Sequence, residues 1–169
     1  VIRSELLLDE GDPFSKIKLE KSIANLRSRK IFKSVEYKLV NGSSPDLKVM
    51  NISVEEQPTG EIMAGAGTGT DGTTFSFALT ENNYLGKGYI VDSSLSLSEE
   101  SIRGGVDVII PNYNYSGNSV NLGVSSKKTD RAESGYENTL TRFGIGTKFE
   151  QYDDLFLSPR VELVFDNLT

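Results

Sequence analysis

The sequence predicts a small α+β unit over residues 1–59, followed over residues 60–169 by an antiparallel β-sheet of about seven strands. Three observations carry that expectation. The chain changes character at Pro58-Thr59-Gly60: ten Lys/Arg, nine Asp/Glu and two Gly precede this point, whereas eight Lys/Arg, fifteen Asp/Glu and fourteen Gly follow. A shift of charge and glycine content across one tripeptide marks a domain boundary. Helical spacing and cap signals occur before that boundary. Behind it, apolar and polar residues alternate in segment after segment, the period of a strand with two unlike faces.

In the first unit, Val1, Glu5 and Leu8 stand at helical spacing, and Asp9-Glu10-Gly11-Asp12-Pro13 stops the helix they predict. A second helix begins after Ser15, a candidate N-cap, with Phe14 placed to pack on Leu19 as a hydrophobic staple. Leu19, Ile23 and Leu26 form its apolar stripe, leaving Lys18, Lys21, Asn25 and Arg29 for water. Val35, Tyr37 and Leu39 alternate with Glu36 and Lys38 as a strand. The cluster Asn41-Gly42-Ser43-Ser44-Pro45 turns the chain into a second strand, Leu47 to Val54, with Lys48, Met50, Ile52 and Val54 on one face.

The second unit reads strand after strand. Glu61–Gly69 is glycine-rich, with Gly65, Gly67 and Gly69 at alternate positions. Phe75, Phe77 and Leu79 alternate with Thr74, Ser76 and Ala78. Strands follow at Tyr89–Leu97, Val106–Ile110, Val120–Val124, Phe143–Phe149 and Val161–Phe165. Their polar positions include Asp92, Asp107, Lys148 and Glu162 in mid-strand. A soluble sandwich exposes one polar face per sheet, and a membrane barrel lines its lumen with one, so alternation alone leaves both open. Glu150–Asp154 reads as a short turn and Lys127–Asn138 as a long charged loop, the unequal rims of an outer-membrane barrel.

Composition excludes much chemistry. The chain has no Cys and no His, which removes thiolate nucleophiles, disulfides, histidine bases and histidine metal sites. Eighteen Lys/Arg against 24 Asp/Glu give a net charge of −6, a poor balance for holding nucleic acid. Asp9, Glu10 and Asp12 read as a solvated, helix-ending turn. Glu99-Glu100, Glu55-Glu56 and Asp153-Asp154 are neighbours that point to opposite faces in strands and form no acid/base dyad. The glycines of residues 65–72 precede no helix and so lack the dipole of a phosphate loop. Lys127-Lys128 with Arg131 reads as exposed loop or as a contact for anionic headgroups. No catalytic residue, cofactor or metal site is expected.

Asn83-Tyr84-Leu85-Gly86-Lys87-Gly88-Tyr89, preceded by Gly65-x-Gly67-x-Gly69-x-x-Gly72, resembles the start of the barrel in the BamA-like family of outer-membrane protein assembly factors. Ile110-Pro111-Asn112-Tyr113 is similar to the family's D/N-P-Y/W segment, with Ile110 departing from it. Gly11-Asp12-Pro13-Phe14, the helix ending Arg29-Lys30-Ile31-Phe32-Lys33-Ser34-Val35, and Val54-Glu55-Glu56-Gln57-Pro58-Thr59-Gly60 resemble a POTRA domain leading into that barrel. Two departures stand out: the domain's first strand is missing, and the family's barrels have many more strands. The resemblance therefore implies part of a longer protein: residues 1–59 a POTRA-like domain lacking its first strand, residues 60–169 the N-terminal portion of an outer-membrane β-barrel.

The resemblance further implies a non-enzymatic function in the bacterial outer membrane, with the N-terminal domain in the periplasm. That function is folding and inserting other β-barrel proteins by strand addition at a weakly paired first strand. Gly65, Gly67 and Gly69 would mark that seam, because glycine weakens side-chain packing. Phe75, Phe77 and Leu79 would face lipid. Arg3 and Glu10, matching the family pattern V-x-R-x-E-x-x-x-x-E-G, would contact a periplasmic lipoprotein of an assembly complex. Expected partners are nascent outer-membrane β-barrel proteins, such lipoproteins and outer-membrane lipids. The alternatives are a two-partner-secretion transporter and a soluble β-rich binding module.

Overall fold

Leu19, Ile23 and Leu26 recur at helical spacing and are 1%, 3% and 0% exposed in the computed structural model, which describes residues 1–44, 46–69, 72–131, 134–153 and 155–169. They lie on α1 (Lys16–Ser28), where the Ser15 hydroxyl accepts a hydrogen bond from the Lys18 amide as N-cap. The helix ends where Arg29 caps it and Lys30 takes a left-handed φ of 57°, a common way to close a helix. The chain then enters β1 (Phe32–Asn41), which pairs antiparallel with β2 (Lys48–Glu56). Ile31, Phe32 and Val35 complete the core, with Met50, Ile52 and Val54 packed against it. Past β2, the Gln57 amide donates to the Ile31 carbonyl and its side chain to the Lys30 carbonyl, tying the exit of the unit to the helix end.

Three expectations for this unit are corrected. Residues 1–8 form no α-helix; only Arg3–Glu5 make a 3-10 turn, and Leu6 is already extended. Leu6 and Leu8 pack on the core while Leu7 is 42% exposed, a period of two that a run of three leucines allows. The Leu7 amide donates to Ser22 Oγ on α1, so the segment is held by the helix instead of becoming one. Phe14 stays half-exposed and outside the core. Arg29, assigned to water, is buried: its Nε lies 3.3 Å from Glu5 Oε1, with both side chains 9% exposed. Burial pushes the Arg29 guanidinium below its ordinary pKa, and the Glu5 carboxylate partly counters that.

Residues from Gly60 onward form a second compact unit, dividing from the first between Thr59 and Gly60. Its strands are β3 (Gly60–Gly69), β4 (Gly72–Tyr84), β5 (Tyr89–Ser98), β6 (Ser101–Ile110), β7 (Ser119–Arg131), β8 (Tyr136–Tyr152), β9 (Leu155–Leu157) and β10 (Arg160–Leu168). They make one antiparallel sheet in the order β10-β8-β7-β6-β5-β4-β3, with the short β9 also on β8. Seven of these match the strands expected from alternation, and β9 adds to them.

The expected long loop at Lys127–Asn138 is corrected: β7 and β8 continue through it as a paired hairpin up to Arg131 and Tyr136. Glu150 and Tyr152 likewise belong to β8. Pro45 of the expected turn cluster, Asp154 of the Asp153-Asp154 pair, and residues 70, 71, 132 and 133 lie outside the described residues. No described helix is long and apolar enough to cross a membrane, which says nothing of strands that cross as a barrel.

Candidate functional surfaces

Register assigns every strand residue of the sheet to one of two faces. One cross-strand row runs Ile62, Leu79, Ser93, Val106, Val124, Phe143, Leu163, and neighbouring rows on that face bring Phe77, Leu95 and Phe165 on one side and Val91, Val108, Leu122, Ile145 and Val161 on the other. Phe75, Phe77 and Leu79 are 51%, 48% and 44% exposed. Phe143 and Phe165 meet edge to face at 6.1 Å between centroids. Four rows from Val91 to Leu97 cover about 20 Å along a strand, close to the apolar band of about 25 Å on a membrane barrel.

The opposite face is polar. Its central row reads Glu61, Thr80, Asp92, Asp107, Gly123, Gly144, Glu162. Thr80 Oγ1 donates to Asp92 Oδ1 at 2.6 Å. Arg160 lies across the row: Nε donates to Glu162 Oε1 at 2.8 Å, and Nη2 is 3.6 Å from Asp107 Oδ1. The two glycines make that reach possible. A Cβ at Gly144 would stand 2.6 Å from Arg160 Nη2, and one at Gly123 would stand 2.9 Å from it. Sequence reasoning missed this network, because only the register brings Arg160 over two glycines from other strands.

β3 is the terminal strand of the sheet order, and every residue along it is exposed. Gly65, Gly67 and Gly69 have no left-handed φ, and a Cβ at Gly67 or Gly69 would meet nothing within 4 Å. Neither conformation nor space demands glycine at those two positions. What glycine contributes there is the absence of side-chain packing on an edge strand. At the far end of β4's hairpin, the Thr73 amide donates to Glu99 Oε1 at 3.3 Å, while Glu100 Oε2 pairs with Arg131 at 3.2 Å. The adjacent carboxylates thus reach in opposite directions.

The Asn83–Tyr89 segment is a closed turn. Asn83 holds it twice, its carbonyl accepting from the Gly86 amide at 2.9 Å and its Oδ1 from the Gly88 amide at 2.8 Å. Leu85, Gly86 and Gly88 take left-handed φ values of 55°, 70° and 69°, which explains the two glycines. The Asn112 side chain likewise accepts from the Gly117 amide at 2.7 Å. In the N-terminal unit, Arg3 and Glu10 come together as an ion pair on the surface, both highly exposed. The buried Glu5–Arg29 pair was not foreseen; the signal was an acid flanked by Ile2 and Leu6, residues that pack on the core.

Among the described residues the sheet carries one largely apolar face and one polar face, the pattern of a membrane β-barrel wall. No family model matches the chain. An outer-membrane protein assembly factor of Treponema pallidum is 37% identical over 108 residues, 60% of this chain and 13% of that protein. The outer-membrane protein assembly factor BamA of Nitratidesulfovibrio vulgaris is 31% identical over 93 residues, 53% of this chain and 11% of that protein. The chain thus spans about an eighth of the length of these relatives. The crystal structure of Haemophilus ducreyi BamA lacking POTRA domains 1–3 superposes with a TM-score of 0.79 at 19% identity, covering 99% of this chain and 33% of that one. CdiB from Acinetobacter baumannii gives 0.62 at 13% identity, over 99% and 34%. The chain is BamA-like, and its location is the outer membrane.

Proposed function

We propose that residues 1–59 are a periplasmic POTRA-like domain and residues 60–169 the first strands of an assembly-factor barrel, which folds and inserts other β-barrel proteins into the outer membrane. The observation that carries this reading is β3 itself: a glycine-rich first strand with no side chains to pack at Gly65, Gly67 and Gly69, which suits it to exchange partners with an incoming strand. Nascent outer-membrane proteins are the substrates, and the work is strand pairing, without catalysis. The apolar face carrying Phe75, Phe77 and Leu79 meets lipid, and the polar face lines the lumen. The helix, the two paired strands and the exit at Gln57 support the POTRA reading, with a 3-10 turn standing where a first helix is usual. The exposed Arg3–Glu10 pair offers both charges to a periplasmic lipoprotein at one turn. Both curated relatives are described as assembly factors, which favours this reading over a two-partner-secretion transporter.

The test is Gly67→Val with Gly69→Val in the full-length protein, since both sites have room for a side chain. Insertion of a β-barrel substrate into lipid vesicles should fall severalfold while the variant itself stays folded. Undiminished insertion sinks strand addition at β3.

A further inference from the structure

The polar face is electrically divided. Its central row holds four acids, Glu61, Asp92, Asp107 and Glu162, and Arg160 answers two of them. Farther along the same face toward the β5–β6 turn, Arg103 stands directly opposite Lys127, and Arg142 on β8 is diagonal to Lys127 because it pairs with Ser125. Like charges placed opposite each other repel. Among the described residues none of the three is in an ion pair, whereas Lys128, Arg131 and Arg160 all are. Asp166 lies in the row of Arg103 and Lys127, separated from Lys127 by Leu140 and diagonal to Arg142, and it accepts from the Asn138 side chain instead.

Beside these cations the face is hollow. A depression of about 350 Å³ is lined on this face by Met63, Gly65, Ser76, Ala78, Ser94 and Ser96, with Arg103 beside them. Small hydroxyl side chains leave room for a backbone and supply hydrogen-bonding groups. The three cations span β6, β7 and β8, about 10 Å at the usual strand spacing. Alternate carboxylates on an extended chain recur about every 7 Å. That span exceeds one phosphate group and suits a row of acidic side chains.

We propose that Arg103, Lys127 and Arg142 form a cationic rail beside this trough and hold an extended polypeptide segment carrying alternate carboxylates. The proposal rests on the reading of this face as the lumen, and it adds a second, charge-selective contact to the edge strand. Its test uses the full-length protein in detergent micelles and a fluorescent decapeptide of alternating Glu and Ser, followed by anisotropy. The wild type should bind the peptide and release it as salt rises. Arg103→Gln with Lys127→Gln and Arg142→Gln should weaken binding about tenfold or more, a loss of about 1.4 kcal/mol or more. Arg103→Lys with Arg142→Lys should retain it, which guards against misfolding as the cause. Absence of binding by the wild type, unchanged binding by the glutamine variant, equal binding of an alternating Lys–Ser peptide, or equally tight and equally sensitive binding of tripolyphosphate overturns the proposal. The readout is independent of insertion: a protein that binds the peptide yet inserts no β-barrel substrate removes the function proposed above and leaves the rail standing.

Discussion

Val35 and Val54 face each other across β1 and β2, and Val106 and Val124 face each other across β6 and β7. Val35 is 3% exposed and lies in the core under α1; Val106 and Val124 are 40% and 41% exposed. The local chemistry is the same, a β-branched pair on a pleated strand, and what differs is the surface it meets. In the N-terminal unit a helix excludes water from one side of the hairpin, and apolar burial stabilises it. Among the described residues no buried apolar side chain lies in the sheet, whose strands are held by ladder hydrogen bonds. One unit carries its own apolar solvent. The other, on the reading proposed above, borrows the bilayer's.

Substitutions can break or sharpen that contrast. The largest effect is expected from Glu5→Ala, which removes the acidic partner of a buried guanidinium and should cost about 3–5 kcal/mol; urea unfolding read through amide exchange in α1 measures it. Leu26→Ala opens a cavity at a fully buried site and should cost about 2–5 kcal/mol by the same readout, leaving exchange in β4–β8 unchanged. Phe77→Arg should lower folded-barrel stability in lipid vesicles by about 2–4 kcal/mol, while Ser76→Arg on the other face changes it little. Equal penalties at both positions would mean that the faces are not lipid and lumen. The smallest is Ser15→Ala, about 1 kcal/mol from loss of the N-cap, again confined to the N-terminal unit.

Much of this was legible in the sequence, and what was not has physical reasons. The stripe Leu19/Ile23/Leu26 and the alternation at Phe75/Phe77/Leu79 are local patterns, and they mark α1 and β4 directly. Lys127–Asn138 misled because a strand that runs past the apolar band is polar on both sides; periodicity vanishes there while the backbone ladder to Arg131 and Tyr136 continues. Residues 1–8 misled because Leu6-Leu7-Leu8 satisfies a helix and an extended segment equally, and the choice is made by Ser22 and Arg29, which lie far along the chain. The same distance hides the Arg160 network. Gly123 and Gly144 carry no pattern of their own, and their purpose is visible only once three strands are in register.

The hydrogen bond from the Thr73 amide to Glu99 joins the tip of the β3–β4 hairpin to the connection between β5 and β6, two strands away from the edge. Mechanically, this is a clasp on β4 beside the hairpin turn. It holds β4 and leaves β3 with its ladder to β4 and the bare positions Gly65, Gly67 and Gly69. On the reading proposed above, Glu99 anchors β4, the strand that stays in place while β3 takes a new partner.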